Sequence, residues 1–354
     1  MKKALIAMSG GVDSSLAAKL IKDMGYETIG CTMKLYDNAD IGEKCDKTCC
    51  SLDDVEDARS VARKIDIPYY VFNYKDEFKT NVIDRFIRSY EMGETPNPCI
   101  DCNKYLKFEA LYQKAKVLGC DYIVTGHYAR IEKKGDKYLL KKAKDDTKDQ
   151  SYVLYNLTQE KLAHTLFPLG NMDKKTVRVT AKGSDFINAE KHDSQDICFV
   201  PDGDYAAFIK KNTKKEYKEG DYIDEAGNVL GRHKGIINYT VGQRKGLGIA
   251  LGHPVFVKSI NPLDNTVTLS DNERLMSTTL IAREFNWISG EVPKNPVRCL
   301  VKVRYRQKEQ PATVTPIDET SVKIVFDTPQ RAISKGQSAV LYDGDIVLGG
   351  GIIK

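Results

Sequence analysis

The chain has 354 residues, 41% hydrophobic and 29% charged, with 54 basic against 49 acidic side chains and a net charge of +5. That length allows two or three domains with real cores, and the composition excludes fibrous and low-complexity chains. No apolar run approaches the roughly 20 residues of a bilayer crossing, so a membrane role is excluded as well.

Residues 3–8 form a short apolar run without polar alternation, the pattern of a strand buried on both faces. Ser9-Gly10-Gly11-Val12-Asp13-Ser14-Ser15 follows as a turn. Val12, Leu16, Ala17, Leu20, Ile21 and Met24 then recur at helical spacing up to Gly25. Residues 28–33 read as a second buried strand, completing a βαβ unit. Residues 53–65 are helical, residues 69–72 a third strand, and Phe78, Val82, Phe86, Ile87 and Tyr90 mark another amphipathic helix.

Residues 93–103 hold two prolines and two asparagines and read as a rigid irregular loop bearing Cys99 and Cys102. A helix follows, then a strand at residues 121–125 with Gly126-His127-Tyr128 at its carboxyl end, then a hairpin turning at Gly135-Asp136. Alternating strand and helix predict a doubly wound parallel α/β sheet, here assigned to residues 1–204. From about Gly220 the pattern changes to short β-rich runs broken by Gly, Asn and Pro. Two small all-β modules are expected, at 205–273 and 274–354, the last a β-barrel.

The glycine–serine turn is the first chemical signal. Two glycines let the backbone turn sharply and approach a ligand, while turn N–H groups and a helix N-terminus favour an anion. The motif lacks the span and Gly-Lys-Ser/Thr ending of a Walker A loop. It is similar to the pyrophosphate loop of ATP pyrophosphatases, which names ATP and an adenylation step without naming the substrate.

The chain enters its first strand at once, which leaves no room for a signal peptide. Its nine cysteines are an odd number. Together these point to a cytoplasmic protein with thiol or metal chemistry rather than a static disulfide framework. Cys31, Cys120 and Cys299 sit in or beside apolar runs and read as core. Cys99 and Cys102 form a C-x-x-C open to three readings: half a zinc site, a redox pair, or a catalytic thiol with a neighbour. A zinc site would need two more ligands, for which Cys45, Cys49 and Cys50 are candidates, but their C-x3-C-C spacing is not standard for zinc, and no metal ligand set is assigned. Cys198, on a polar loop, is a candidate reactive thiol. Lys302, Arg304, Arg306 and Lys308 recur every second residue around Tyr305; on one strand face they suit a phosphate backbone, or are a solvated face.

Taken together these motifs resemble the tRNA-specific 2-thiouridylases. The match covers nearly the whole chain: SGGVDSS at 9–15, TPNPCIDCN at 95–103, TGHYAR at 125–130, DQSY at 149–152, DSQDICF at 193–199, YTVGQRKGLG at 239–248, VRYRQ at 303–307 and GQSAVLYDGDIVLGGG at 336–351. The resemblance implies an adenine nucleotide alpha-hydrolase-like domain followed by β modules. The implied reaction is ATP-dependent 2-thiolation of the wobble uridine at anticodon position 34, by adenylation of the C2 oxygen and sulfur transfer from a cysteine persulfide. Carried over by motif, Cys198 takes the persulfide, and Cys102 is the second catalytic cysteine, closing a transient disulfide with Cys198. Ala7, Met8, Ser9, Gly10, Gly11, Val12, Asp13, Ser14, Met33 and Gly126 would hold ATP with magnesium. Asn97, Pro98 and Cys99 would face the target base, and His127, Lys148, Asp149, Gln150, Arg304, Tyr305 and Gln337 would touch tRNA. The implied partners are a tRNA with a wobble uridine and a persulfide donor, either a cysteine desulfurase or a sulfur-relay protein.

Many family members carry Asp, the proposed acid/base, where this chain has Cys99; a thiol, with an unperturbed pKa near 8.5, is a different proton carrier. Two other schemes fit parts of the sequence. In one, Cys99, Cys102 and Cys198 hold an iron–sulfur cluster that carries sulfide. In the other, the loop serves a small-metabolite ligase, which leaves Cys102, Cys198 and the basic β modules unexplained. A non-catalytic RNA- or metal-binding protein is the third alternative.

Overall fold

The computed structural model describes residues 1–36, 52–191 and 197–354. Its first sheet is built from β1 (Lys3–Ala7), β2 (Glu27–Lys34), β3 (Tyr69–Asn73), β4 (Tyr122–Val124) and a short later strand, all parallel. Ala4, Leu5 and Ile6 are fully buried, as a run without alternation requires. Helices Val12–Asp23 and Leu52–Lys64 provide the crossovers, so every strand points its carboxyl end toward one edge of the sheet.

The hairpin of β5 (Ala129–Lys134) and β6 (Lys137–Lys142) leaves this domain, and β7 (Thr165–Leu166) completes the order β3-β2-β1-β4-β7. The middle module is a four-stranded sheet of β8 (Gly220–Ile223), β9 (Val229–His233), β10 (Phe256–Asn261) and β11 (Thr266–Ser270), ordered β10-β11-β8-β9. The last six strands are β12 (Met276–Trp287), β13 (Val297–Lys302), β14 (Gln310–Pro316), β15 (Val322–Arg331), β16 (Ser338–Asp343) and β17 (Ile346–Ile353). They run β12-β15-β14-β13-β16-β17, and β12 pairs with β17 to close the barrel. The hairpin β5–β6 adds to β17 through Ile346 opposite Lys141 and Val347 opposite Leu140, so the first domain extends the barrel's sheet.

One apolar core runs across the parts: Leu5 and Phe86 of the first domain belong to the same buried cluster as Phe208, Ile237, Val340 and Tyr342. Tyr152 and Tyr155 fix the junction, donating to the Ser338 carbonyl at 2.8 Å and meeting the Ser338 hydroxyl at 3.0 Å. Burial of large aromatic side chains at such a seam favours one arrangement of the modules.

The structure departs from the sequence reading in two places that bear on function. Residues 98–101 are a helical turn, not irregular loop, and the helix continues in a wider π-type winding over Cys102–Ala110. Pro98 occupies the first helical position, where its missing N–H costs nothing, and the Asn97 side chain caps the Cys99 N–H at 3.2 Å. The basic stripe is not a strand face either. β13 ends at Lys302, and residues 303–309 turn away from it.

Candidate active site

The glycine–serine loop lies at the carboxyl end of β1, between β2 and β4. Gly10 adopts φ +75°, and a Cβ there would come within 2.4 Å of the Asp54 carbonyl oxygen; only glycine fits. Internal bonds hold the loop. The Ser9 N–H donates to the Ser14 hydroxyl at 3.1 Å, and that hydroxyl donates to the Gly11 carbonyl at 3.0 Å. Asn188 ties the loop from outside, its amide donating to the Gly10 carbonyl and the Ser15 hydroxyl at 2.8 and 2.9 Å. Gly126 backs the helix start so closely that a Cβ would sit 2.8 Å from the Asp13 carbonyl carbon and the Ser14 nitrogen. Met8 and Met33 are buried, and the Met8 carbonyl accepts from the Thr32 hydroxyl at 2.6 Å. The residues assigned to ATP therefore collect around one loop.

Asp13 stands on the first turn of the loop helix. Its carboxylate accepts from the Tyr128 hydroxyl at 2.7 Å and from the Lys174 ammonium through both oxygens at 2.7 and 2.8 Å. Tyr128 belongs to the TGHYAR motif. Lys174 and Asn188 have no signal of their own in the sequence, because their roles arise from tertiary packing.

The cysteines divide by environment. Cys31, Cys120 and Cys299 are buried, as expected, and burial pushes the Cys299 thiol up to about 12. Cys99 is exposed, while Cys102 and Cys198 are half-buried. The last two both pack against the large apolar cluster of the first domain. Phe199 anchors the Cys198 segment, its ring 5.6, 5.3 and 5.1 Å from those of Phe78, Phe86 and Phe208. The Tyr36 hydroxyl donates to the Cys198 carbonyl at 3.0 Å. Among the described residues no three His, Cys, Asp or Glu side chains gather as a metal site. Cys45, Cys49 and Cys50 lie outside the described residues.

Of the residues assigned to tRNA, Tyr305 meets Asp149 and Gln337 meets Thr95 where barrel and first domain touch, and most of the set carry structural bonds. His127 is buried; Lys107 can only donate to its Nε2 (3.4 Å), so Nδ1 faces the Thr125 hydroxyl at 2.7 Å with its proton. Burial, with Lys107's charge, holds the ring's pKa well below the usual histidine range, so it is neutral. Asp149 caps its own turn through the Ala143 and Ser151 N–H groups, Gln150 clamps Tyr128, and the Tyr305 hydroxyl donates to the Asp149 carbonyl at 3.2 Å. Lys148 is half-buried beside them. Arg304 binds the Val241 and Ala332 carbonyls and the Ser334 hydroxyl, joining middle module to barrel. Of the basic stripe, Arg306 and Lys308 face solvent, whereas burial lowers the pKa of Lys302 and Arg304.

The sequence matches three family models in succession: a tRNA methyl transferase HUP domain over residues 2–202, its PRC-barrel domain over 206–271, and an aminomethyltransferase β-barrel domain over 277–353. Over its whole length the chain is 56% identical to the tRNA-specific 2-thiouridylase MnmA of Clostridioides difficile, covering 98% of that protein. Against the proteins of the same name from Acetivibrio thermocellus and Clostridium perfringens the identity is 52% and 50%, again across the whole chain and 99% and 98% of theirs. The chain belongs to the tRNA-specific 2-thiouridylases.

Likeness to solved structures is slight. An NMN synthetase from Francisella tularensis shares 16% identity over 61% of this chain and 79% of its own, at a TM-score of 0.35. The chain carries the glycine–serine loop, Cys102 and Cys198 in its first domain. It has Cys99 on the outer face of a helical turn whose next carboxylate is Asp101.

Asp101, its side chain 15% exposed, lines a cavity of about 290 Å³ between the cysteine turn and the barrel. Arg85 lies 3.4 Å from it, and Glu284 of β12 lies 3.9 Å from Arg85 and 3.6 Å from Lys104. Burial raises the Asp101 carboxyl to about 6 against the pull of Arg85.

Proposed function

We propose that this protein thiolates C2 of the uridine at anticodon position 34 of tRNA, consuming ATP and giving 2-thiouridine, AMP and pyrophosphate. The observation that carries this reading is full-length identity to 2-thiouridylases, in a chain with half-buried Cys102 and Cys198 in the domain that holds the loop. The loop's amides and hydroxyls and the buried Met8 and Met33 suit ATP. Asp13, a half-exposed carboxylate at the loop helix, is the oxygen donor suited to magnesium, which would neutralise phosphate charge when bound.

The uridine O2 attacks the α-phosphorus, the bond to the bridging oxygen of the β-phosphate breaks, and pyrophosphate leaves with the electron pair. The N3 proton of the uridine passes to solvent. A persulfide on Cys198, loaded by a cysteine desulfurase or sulfur-relay protein, supplies sulfur. The Cys102 thiolate attacks Cys198 Sγ, the sulfur–sulfur bond breaks, and the outer sulfur leaves as hydrosulfide. Hydrosulfide adds to C2, the C2–O bond breaks, and AMP departs. The Cys102–Cys198 disulfide is reopened by a thiol reductant, which supplies two electrons. In this scheme Cys99, exposed on the turn capped by Asn97, relays that N3 proton from the base to solvent. His127, Lys148, Asp149, Gln150, Arg304, Tyr305 and Gln337 order the surface that meets tRNA.

The cluster scheme needs Cys99, Cys102 and Cys198 to converge as ligands, and among the described residues no three His, Cys, Asp or Glu side chains gather in that way. The small-metabolite ligase has no use for the barrel and middle module. Among the described residues no helix is long and apolar enough to cross a membrane; we place the reaction in the cytoplasm, where tRNA and ATP meet. The test is incubation with tRNA, magnesium ATP, cysteine and a cysteine desulfurase, followed by mass spectrometry of the tRNA nucleosides. 2-Thiouridine at the wobble position supports the reading; AMP release without modified tRNA overturns it.

A further inference from the structure

A carboxylate beside an anion-binding loop raises a charge conflict. Asp13 sits on the first turn of the helix that the loop opens, where polyphosphate would come to rest, and its negative charge opposes that ligand. The structure resolves the conflict with Lys174. Its ammonium spans both Asp13 oxygens at 2.7 and 2.8 Å, and its side chain is only 11% exposed. The base of that side chain is fixed. The Lys174 N–H donates to Asp145 at 3.0 Å, and Asp173 caps the helix Lys174–Gly183 by accepting from the Thr176 N–H at 2.7 Å. A long flexible stem on a fixed backbone lets the ammonium change partners without moving the helix.

We infer that Lys174 is a pyrophosphate-binding residue of this site, held on Asp13 until the nucleotide arrives and then turned onto the β- and γ-phosphates. This rests on the ATP-dependent reading above. The exchange is balanced in charge: the Asp13 carboxylate passes to the cation that accompanies ATP, and the released ammonium meets the phosphates. As the bond between α-phosphorus and bridging oxygen breaks, the electron pair moves onto pyrophosphate, and a fixed cation there stabilises the leaving group. No proton transfer is required of Lys174. Tyr128, donating to Asp13 at 2.7 Å, keeps the carboxylate oriented through the exchange.

Calorimetry on the whole chain tests this with ATP, AMP and inorganic pyrophosphate as probes. With magnesium, Lys174→Met should weaken ATP and pyrophosphate about tenfold or more, the loss of one charge-assisted hydrogen bond, and leave AMP within about twofold. Lys174→Arg should restore part of the loss. In EDTA the sign reverses for Asp13→Asn: releasing the ammonium should tighten pyrophosphate relative to wild type, and adding Lys174→Met should abolish the gain. Unchanged ATP and pyrophosphate affinity in Lys174→Met overturns the inference and leaves Lys174 as a counter-ion of Asp13 alone. Equal losses for all three probes in both the Met and Arg variants also overturn it, because the role is then structural. A wild-type protein that binds no ATP defeats the ATP-dependent reading itself, a result distinct from either.

Discussion

The Gln337 side-chain amide donates to the Thr95 carbonyl across 2.7 Å, so the barrel grips the segment that leads into the cysteine turn. The grip is reinforced. The Thr95 N–H donates to the Lys335 carbonyl at 2.8 Å, and Arg283 of β12 donates to Glu94 at 2.9 Å. Gly336 is required there, since a Cβ would lie 2.9 Å from the Thr95 nitrogen. Gln337→Ala should therefore cost about 1 kcal/mol of stability. It should lower kcat for thiolation more than it weakens tRNA, with the salt dependence of tRNA binding unchanged. A fall in tRNA affinity at constant kcat would instead make Gln337 a direct tRNA contact.

Arg304 and Arg306 separate two roles that look alike in sequence. Arg304 serves three acceptors at the junction of middle module and barrel. Arg304→Ala removes three hydrogen bonds, leaving the Ser334 hydroxyl alone to serve the two carbonyls, and should lower the melting temperature by several degrees, a cost of about 1–3 kcal/mol. Arg306 is exposed. If it meets a tRNA phosphate, Arg306→Ala should reduce the log–log salt slope of binding by roughly 0.7 to 0.9, with the melting temperature unmoved. An unchanged slope would assign Arg306 to solvent.

The fold is legible in the sequence where local pattern and tertiary role agree. β1 and β2 are apolar runs because both faces are covered, and SGGVDSS is a turn because Gly10 must take a positive φ. The cysteine turn reads as loop because the two prolines of residues 93–103 mask a local cap: Asn97 before Pro98 is a helix start, and that signal is present. The basic stripe misleads because alternation in sequence implies one face only if the strand continues, and β13 stops at Lys302. The grip of Gln337 on Thr95 and of Lys174 on Asp13 joins residues far apart in the chain. No local pattern encodes such pairs.

Asp101 gives a pH signature with a definite sign. Its carboxyl is raised to about 6 in the fold from an ordinary value near 3.8. The folded state thus holds a proton that the unfolded chain has lost between those values. Its contribution to stability is complete below about pH 4 and is lost as pH rises through 6, at about 1.4 kcal/mol for each pH unit between the two values. The stability of wild type minus that of Asp101→Asn should therefore decrease from about pH 4 to about pH 6.5, measured by urea unfolding at each pH. An increase over that range would mean that the Arg85 pairing outweighs burial.

The two catalytic thiols give the sharpest test. Cys198 is half-buried on a segment pinned by Phe199, and Cys102 borders the same apolar cluster from the helical turn. If Cys198 carries the persulfide, Cys198→Ser abolishes sulfur loading. If Cys102 releases the outer sulfur, Cys102→Ser accepts sulfur and fails to turn over. Mild oxidation should link Cys102 to Cys198 in wild type and leave Cys31, buried and with its thiol pKa pushed up by burial, unmodified. Cys99→Ser should slow the reaction without preventing persulfide formation at Cys198. Phe199→Ala, which empties the centre of an aromatic cluster at a cost of about 3–5 kcal/mol, should lower the rate of the Cys102–Cys198 crosslink. Phe199→Leu, closer in volume, should keep most of it. Peptide mapping after incubation with a labelled sulfur donor reads out the assignment. Persulfide on Cys102 with Cys198 unmodified would reverse the two roles. Full turnover in Cys102→Ser would mean that the persulfide attacks C2 directly and needs no partner for release.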